Sequence, residues 1–326
     1  MKDWRYRLRE HTGTLLAFLF FVLMFAIYTG NHPAGFSANV VQTAANKGVL
    51  LALVAMAQTF VVLTAGIDLS VGMMFVLSNC LASWIVIGSP AMVGLGVVAV
   101  LLTGLICGAI NGAIVIYGRL QPIVTTIATG AIYFGVALTL RPVPAGDVDS
   151  TLADALTGRV FGVVPASLVA LAAVVVLIWV PYRRSSIGRA AYAVGSSEIA
   201  AYMSGVPVKA AKFVAYVLSG LVASLGGLFL TFVTTSGEAS SANGGSYTLY
   251  SIAAVVLGGV SLFGGSGSAI GAIFGALMFR TIGDLLFVFD LDPLWQPLFQ
   301  GVVLLAAVCI GSARIFQIRN RLDLFG

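Results

Sequence analysis

Charge is what this chain has least of. Only 9% of its 326 residues are Asp, Glu, Lys or Arg, against 59% hydrophobic ones, whereas a water-soluble domain carries roughly 25% charge to cover its surface. No extended window is polar enough to stand as a soluble unit, so residues 1–326 read as one transmembrane domain. The apolar runs are long and continuous rather than short and alternating, which excludes an outer-membrane barrel and predicts an all-α, polytopic membrane bundle. Groups for chemistry are scarce as well. Cys80, Cys107 and Cys309 lie in apolar stretches and read as small packing residues. His11 and His32 are single, and no cluster has metal-ligand spacing. None of the four lysines follows a glycine, so the phosphate-cradling Gly-Lys-Ser/Thr loop is missing. No His-Glu-x-x-His occurs, and no Gly-x-Ser-x-Gly elbow sits in a strand-turn-helix context. The chain therefore offers no catalytic set and no cofactor site, and if it works against a gradient its energy is expected to come from another subunit.

What is present is a series of ten apolar segments near 12–28, 46–65, 71–88, 91–117, 122–140, 162–181, 211–234, 247–263, 267–288 and 294–311. The net charge of +5 does not point to nucleic acid, because the basic residues follow membrane sidedness. With the N-terminus cytoplasmic, Lys2, Arg5, Arg7, Arg9, Arg119, Arg183, Arg184, Arg189, Lys209, Lys212, Arg314, Arg319 and Arg321 fall inside, 13 of the 17. Acids collect outside at Asp147, Asp149, Asp154, Glu238, Asp290 and Asp292. About ten spans with both ends cytoplasmic satisfy the positive-inside bias, and eight do so equally if one pair is re-entrant. The first segment is expected to be an uncleaved span. Glycines every fourth residue at Gly104, Gly108 and Gly112, and again at Gly267, Gly271 and Gly275, predict two smooth helix faces that neighbouring backbones approach closely. Gly66-Ile67-Asp68-Leu69 is echoed by Gly259-Val260-Ser261-Leu262, a hint of internal duplication.

Within the apolar segments only Asp68, Arg280 and Asp284 are ionisable. Arg280 and Asp284, four residues apart, are expected to pair on one helix face. Asp68 and Ser70 are placed to cap a helix beginning near Val71, each accepting from first-turn N–H groups, and Asp68 equally suits the wall of a path for solute. Gln58, Asn79, Asn111, Thr125, Thr126 and Thr129 can exchange hydrogen bonds with a neutral, hydroxyl-rich solute or serve as interhelical glue. Between the sixth and seventh segments lies a cytoplasmic stretch, 183–212. There Ile199, Tyr202, Met203 and Val206 form an apolar stripe on a predicted helix bounded by Gly195 and Gly205, with Ala200 and Ala201 keeping its other side slim. Such a helix suits docking into a partner's groove, or resting on lipid.

Four ordered motifs over about residues 45–311 resemble the permease family of bacterial ABC sugar importers of the ribose/xylose/galactose type. They are Ala65-Gly66-Ile67-Asp68-Leu69-Ser70-Val71-Gly72-Met73; Gly108-Ala109-Ile110-Asn111-Gly112 followed by Pro122-Ile123-Val124-Thr125-Thr126-Ile127; Gly188-Arg189-Ala190-Ala191-Tyr192-Ala193-Val194-Gly195; and Ala253–Gly259 with Gly264-Gly265-Ser266-Gly267. The resemblance implies a subunit of the bacterial inner membrane that moves a monosaccharide by alternating access. It also implies a second permease, identical or paralogous, a periplasmic sugar-binding protein, and cytoplasmic ATPase subunits that bind the ATP and Mg. Arg189, Tyr192, Glu198, Ala200, Ala201, Tyr202 and Gly205 become the expected coupling residues towards the ATPase. Ala65, Met73 and Ile123 stand where the family pattern has Gly, Ser and Phe. The alternative is a self-sufficient channel or ion-coupled carrier for a small neutral solute.

Overall fold

Serine and proline punctuate the apolar runs into helices. The computed structural model describes residues 3–306 and Cys309. After α1 (Asp3–Asn31), the Ser37 hydroxyl opens α2 (Ala38–Val62) by accepting from the Val40 N–H at 3.4 Å. α3 (Val71–Ile85) follows a glycine-flanked turn, and Ser89 with Pro90 starts α4 (Pro90–Ile116). Proline suits a first helical position because the N–H it lacks has no helical partner there. The same device starts α5 (Pro122–Leu140). A loop then carries the short α6 (Ser150–Thr157) and an antiparallel hairpin of β1 (Arg159–Val160) and β2 (Val164–Pro165). In α7 (Ala166–Arg184) a π turn at Val175–Trp179 precedes Pro181. Pro181 has no N–H and its ring crowds the carbonyl four residues back, and the wider turn absorbs that mismatch. The short α8 (Ser186–Ser196) and α9 (Glu198–Met203) lead into α10 (Val208–Thr234), α11 (Ser241–Leu257), α12 (Ala269–Val288) and α13 (Gln296–Ala306).

Seven of these helices, α1, α2, α4, α5, α7, α10 and α12, are long and apolar enough to cross a membrane, so the chain is a polytopic helical bundle. Each of the ten expected apolar segments overlaps a helix among the described residues, but α3 at 15 residues and α11 at 17 fall short of the roughly 20 a full crossing needs. The segment expected at 247–263 lies six residues earlier, because Gly258 and Gly259, the latter at φ +78°, end the helix. The expected last span, 294–311, runs beyond the described residues, as do Lys2, Arg314, Arg319 and Arg321; the side chains of Arg5, Arg7 and Arg9 also lie outside the description.

α2 is the axis of the bundle. Its most apolar window is 89% buried, against 17% for α1, which packs on the rim through Phe18 and Phe274 of α12 at 5.0 Å. Two of the three glycines of each predicted face meet backbone; Gly112 meets the Phe213 ring and the Tyr216 Cβ, and Gly267, at φ +118°, precedes α12 and is not on its face. A Cβ on Gly104 or Gly108 of α4 would stand 2.4 or 2.3 Å from the carbonyl oxygens of Gly220 and Tyr216 on α10. Gly271 and Gly275 of α12 meet the carbonyls of Gly258 and Ala254 in the same way.

The helices alternate direction, so the connections sort to two ends. At one end the acidic loop 141–149 bonds to the last turn of α3 and to the 235–240 loop, through Asp147 N–H to Ser83 C=O and the Ala145–Gly237 bridge. At the other, basic end stand residues 117–121, 184–207 and 258–268, linked by the Tyr117–Phe213 ring contact and by Tyr192 to Gly267. The expected Arg280–Asp284 pairing gains a third member: the Arg280 charge acts on Asp284, and the Asp284 carboxylate also reaches Lys47 Nζ on α2 at 3.9 Å, since α2 and α12 pack side by side.

Candidate functional site

Near the basic end, polar side chains converge on the start of α3. Asp68 is wholly buried. Its Oδ1 accepts from the Ser70 backbone N–H at 2.9 Å and from the Ser70 hydroxyl at 2.6 Å. Ser70 Oγ in turn accepts from Asn111 Nδ2 on α4 at 2.7 Å. Asn111 Oδ1 accepts from the Tyr133 hydroxyl on α5 at 2.9 Å. The expected double cap is therefore half right. Asp68 accepts from a free N–H at the helix start, but the Ser70 side chain caps nothing and donates to the acid instead.

The neighbouring donors are met from other helices. Leu69 N–H goes to Thr126 Oγ1 of α5 at 3.0 Å, and Gly72 N–H to Thr248 Oγ1 of α11 at 3.1 Å. Gly72 also allows the approach itself, because a Cβ there would sit 1.9 Å from the Gly244 carbonyl oxygen. Four helices thus share one hydrogen-bonded hub. The bonded part of such a network holds the four helices in register in a low-dielectric interior, while Asp68 Oδ2 and the hydroxyls of Ser219 and Tyr216 have no hydrogen-bond partner among the described residues. Ser219 and Tyr216 of α10 also face the Asp68 carboxyl. Thr248, Tyr133 and these two α10 residues are the members that sequence reasoning missed, since nothing local marks a long-range partner.

The other candidates divide. Thr125, Thr126 and Thr129 lie on the buried face of α5, with the Thr129 hydroxyl donating to Thr125 C=O, while Val124 and Ile127 point outward. Gln58 of α2 is fully buried, and neither atom of its amide has a hydrogen-bond partner among the described residues. Asn79 stands apart, about 13 Å along α3 from Ser70. Its Nδ2 donates to Thr231 Oγ1 and Ser236 C=O, and its Oδ1 accepts from Glu238 N–H, so it clamps the acidic-end loop.

The basic end carries the second part of the site. The helix expected between Gly195 and Gly205 is α9, started by Ser197, which at φ −163° leaves α8 and accepts from Ala200 N–H; Val206 of the expected stripe lies beyond its end. Ala201 and the half-buried Val206 fold back onto Ala190, Val194, Val208 and Ala211, a small core of their own. Ile199, Tyr202 and Met203 are left 76, 76 and 82% exposed, on the same side as Glu198 and Ala200. Glu198 is tied to Lys212 Nζ, and Gly205 turns the chain at φ +74°. Arg189 Nη1 donates to Arg184 C=O, locking α8 to the end of α7. The Tyr192 hydroxyl donates to Gly267 C=O at 2.7 Å and accepts from Arg183 Nη1 at 2.8 Å.

Gly195 is the joint between the two parts. A Cβ there would lie 2.0 Å from the Leu63 carbonyl oxygen and 2.3 Å from the Gly265 nitrogen, which are themselves hydrogen-bonded at 3.1 Å. α8 is thus seated against both echoed turns, 63–70 and 258–268. The first of these runs directly into Asp68.

Comparison with known proteins places this geometry. A family described as the permease component of the branched-chain amino acid transport system matches residues 40–308. A probable ABC transporter permease protein of Sinorhizobium fredii is 37% identical over 84% of this chain and 80% of its own length. A ribose import permease protein of Haemophilus influenzae is 33% identical over 90% of this chain and 91% of its own, and a fructose import permease protein of Rhizobium meliloti is 34% identical over 84% and 78%. No solved structure matches. A multi-pass helical bundle matched over most of its length by that family and by such relatives has one assignment: the chain belongs to the family of ABC transporter permease components.

Proposed function

We propose that this chain is the membrane permease subunit of an ATP-binding-cassette importer for a monosaccharide. It sits in the bacterial inner membrane with ten crossings and both termini in the cytoplasm. A second permease, identical or paralogous, completes the path; a periplasmic binding protein delivers the sugar; separate ATPase subunits hold ATP and Mg. The reading is supported by relatives named as ribose and fructose import permeases.

The observation that carries it is the α8–α9 unit. Its outer face offers Ile199, Tyr202 and Met203 to a groove, and its inner face is wedged by Gly195 between two turns of the bundle. An amphipathic helix laid in a partner's groove gains affinity from such apolar anchors. A push on it is passed through backbone contacts, which transmit displacement because packed interiors yield little. In this reading Asp68, Ser70, Asn111, Thr125, Thr126 and Thr129 set the inner wall of the path. Gln58 supplies an amide that a sugar hydroxyl can meet when the helices part. Asn79 holds the outer end.

Proteoliposomes test it. With the ATPase subunits, the binding protein and Mg-ATP, vesicles containing this chain accumulate sugar, and without ATP they do not. Sugar entry with the chain alone contradicts the proposal and points to a self-sufficient channel or carrier.

A further inference from the structure

At the acidic end, α2, α4, α6, α7 and α10 enclose a cavity of about 490 Å³. That is the size of a small-molecule site, but such sites normally place a few polar groups among the apolar ones. Here every lining residue is Val, Leu, Phe, Ala, Gly or Pro, including Val49 and Leu53 of α2, Val97 of α4 and Leu152 and Leu156 of α6. A sugar hydroxyl entering it would lose its hydrogen bonds to water and gain none, so the occupant is hydrocarbon. The wall is low on the outer side of α4: Gly94 is exposed, and a Cβ on it meets nothing within 4 Å.

A polar collar stands above this cavity. Gln42 and Asn46 share the α2 face of Val49 and Leu53, spaced by three or four residues. Both amides donate to Thr157 C=O at 2.8 Å, which fixes the end of α6 over the cavity. Gln42 Oε1 accepts from Arg159 Nε at 2.6 Å, and Asn39 Oδ1 accepts from Arg159 Nη2. The guanidinium is thereby held in place, exposed, with N–H groups left to offer. A guanidinium so fixed matches the geometry of a phosphate. Asp154 is exposed on the side of α6 away from Leu152 and Leu156, so it does not oppose an anion at the mouth. From Gln42 to Leu53 the α2 axis rises about 16 Å, one leaflet's share of the ~30 Å hydrocarbon core.

We propose that this cavity holds one acyl chain of a membrane phospholipid whose phosphate rests on Arg159. The lipid staples α6 and the 159–165 hairpin to α4 and α10, filling what is otherwise a void. The site is separate from the hub at Asp68 and does not depend on the transport reading.

The test uses the full-length chain in phosphatidylethanolamine/phosphatidylglycerol vesicles containing a trace of phosphatidylglycerol with a diazirine midway along one acyl chain. After illumination, label is expected on the 149–157 and 166–174 peptides as well as on the rim helix α1. Gly94→Phe fills the cavity from its open side and is expected to lower labelling of the two peptides about tenfold, leaving α1 labelling as the internal control for a folded chain. Arg159→Gln, an exposed change, is expected to lower it about threefold. Wild-type label confined to α1, or equal labelling of the two peptides in Gly94→Phe, would overturn the proposal. Unchanged labelling in Arg159→Gln would overturn it as well, by removing the phosphate anchor.

Discussion

Gly66–Leu69 and Gly259–Leu262 read alike, and the structure sets their two turns against each other, joined by Gly265 N–H to Leu63 C=O. Their interiors nonetheless differ. The first turn is buried and its acid organises three helices through side-chain hydrogen bonds. The second has Ser261 where the acid would be, half-buried, with its hydroxyl accepting only from the nearby Phe263 N–H. It relies on backbone freedom, with Gly259, Gly264, Gly265 and Gly267 all at positive φ. One turn is held by chemistry and the other by shape. The α8 helix touches both, so a single outside push can reach a fixed hub and a pliable one together.

That contrast can be broken at four points, taken from the largest expected effect. Gly195→Val drives side-chain atoms into two backbones at once and is expected to cost about 3 kcal/mol, the upper end of overpacking; thermal unfolding of the purified chain reads it, and a stable variant would show that the joint is loose. Asp68→Ala strands the Ser70 N–H and hydroxyl in a dry interior, at about 2 kcal/mol, whereas Ser261→Ala in the second turn, where the hydroxyl meets a local N–H in a half-buried turn, should stay within about 0.5 kcal/mol. Equal losses in the two turns would erase the distinction. Thr126→Val removes the acceptor for Leu69 N–H and should cost about 1–2 kcal/mol, visible as faster amide exchange at Leu69. One effect runs the other way. Ala65 sits at φ +60°, a left-handed conformation that costs a non-glycine residue about 1 kcal/mol, so Ala65→Gly should raise stability by about that amount.

Much of this was legible in the sequence, and for local reasons. α5 begins at Pro122 and ends at Leu140 as expected, because proline at one end and a charged residue at the other mark the boundaries. The two glycine faces were readable because close helix approach requires small residues at fixed spacing. The departure at Ala65 was visible too, but its cost was not until the backbone angle was known. What stayed hidden depended on distant chain. Thr248 lies 176 residues from the N–H it satisfies. Lys47 reaches Asp284 from another helix. The short α6 with its hairpin was hidden in a loop that reads simply as polar.

The central claim is that a separate motor grips the α8–α9 unit and moves both turns through Gly195. Ile199 and Tyr202 are three-quarters exposed and support none of the bundle, so Ile199→Glu with Tyr202→Glu should leave the fold intact. ATP-driven sugar uptake in proteoliposomes reconstituted with the ATPase is the direct measurement. The account predicts that the double variant loses uptake by at least about tenfold while unfolding at the wild-type temperature. Wild-type uptake by the double variant would contradict it.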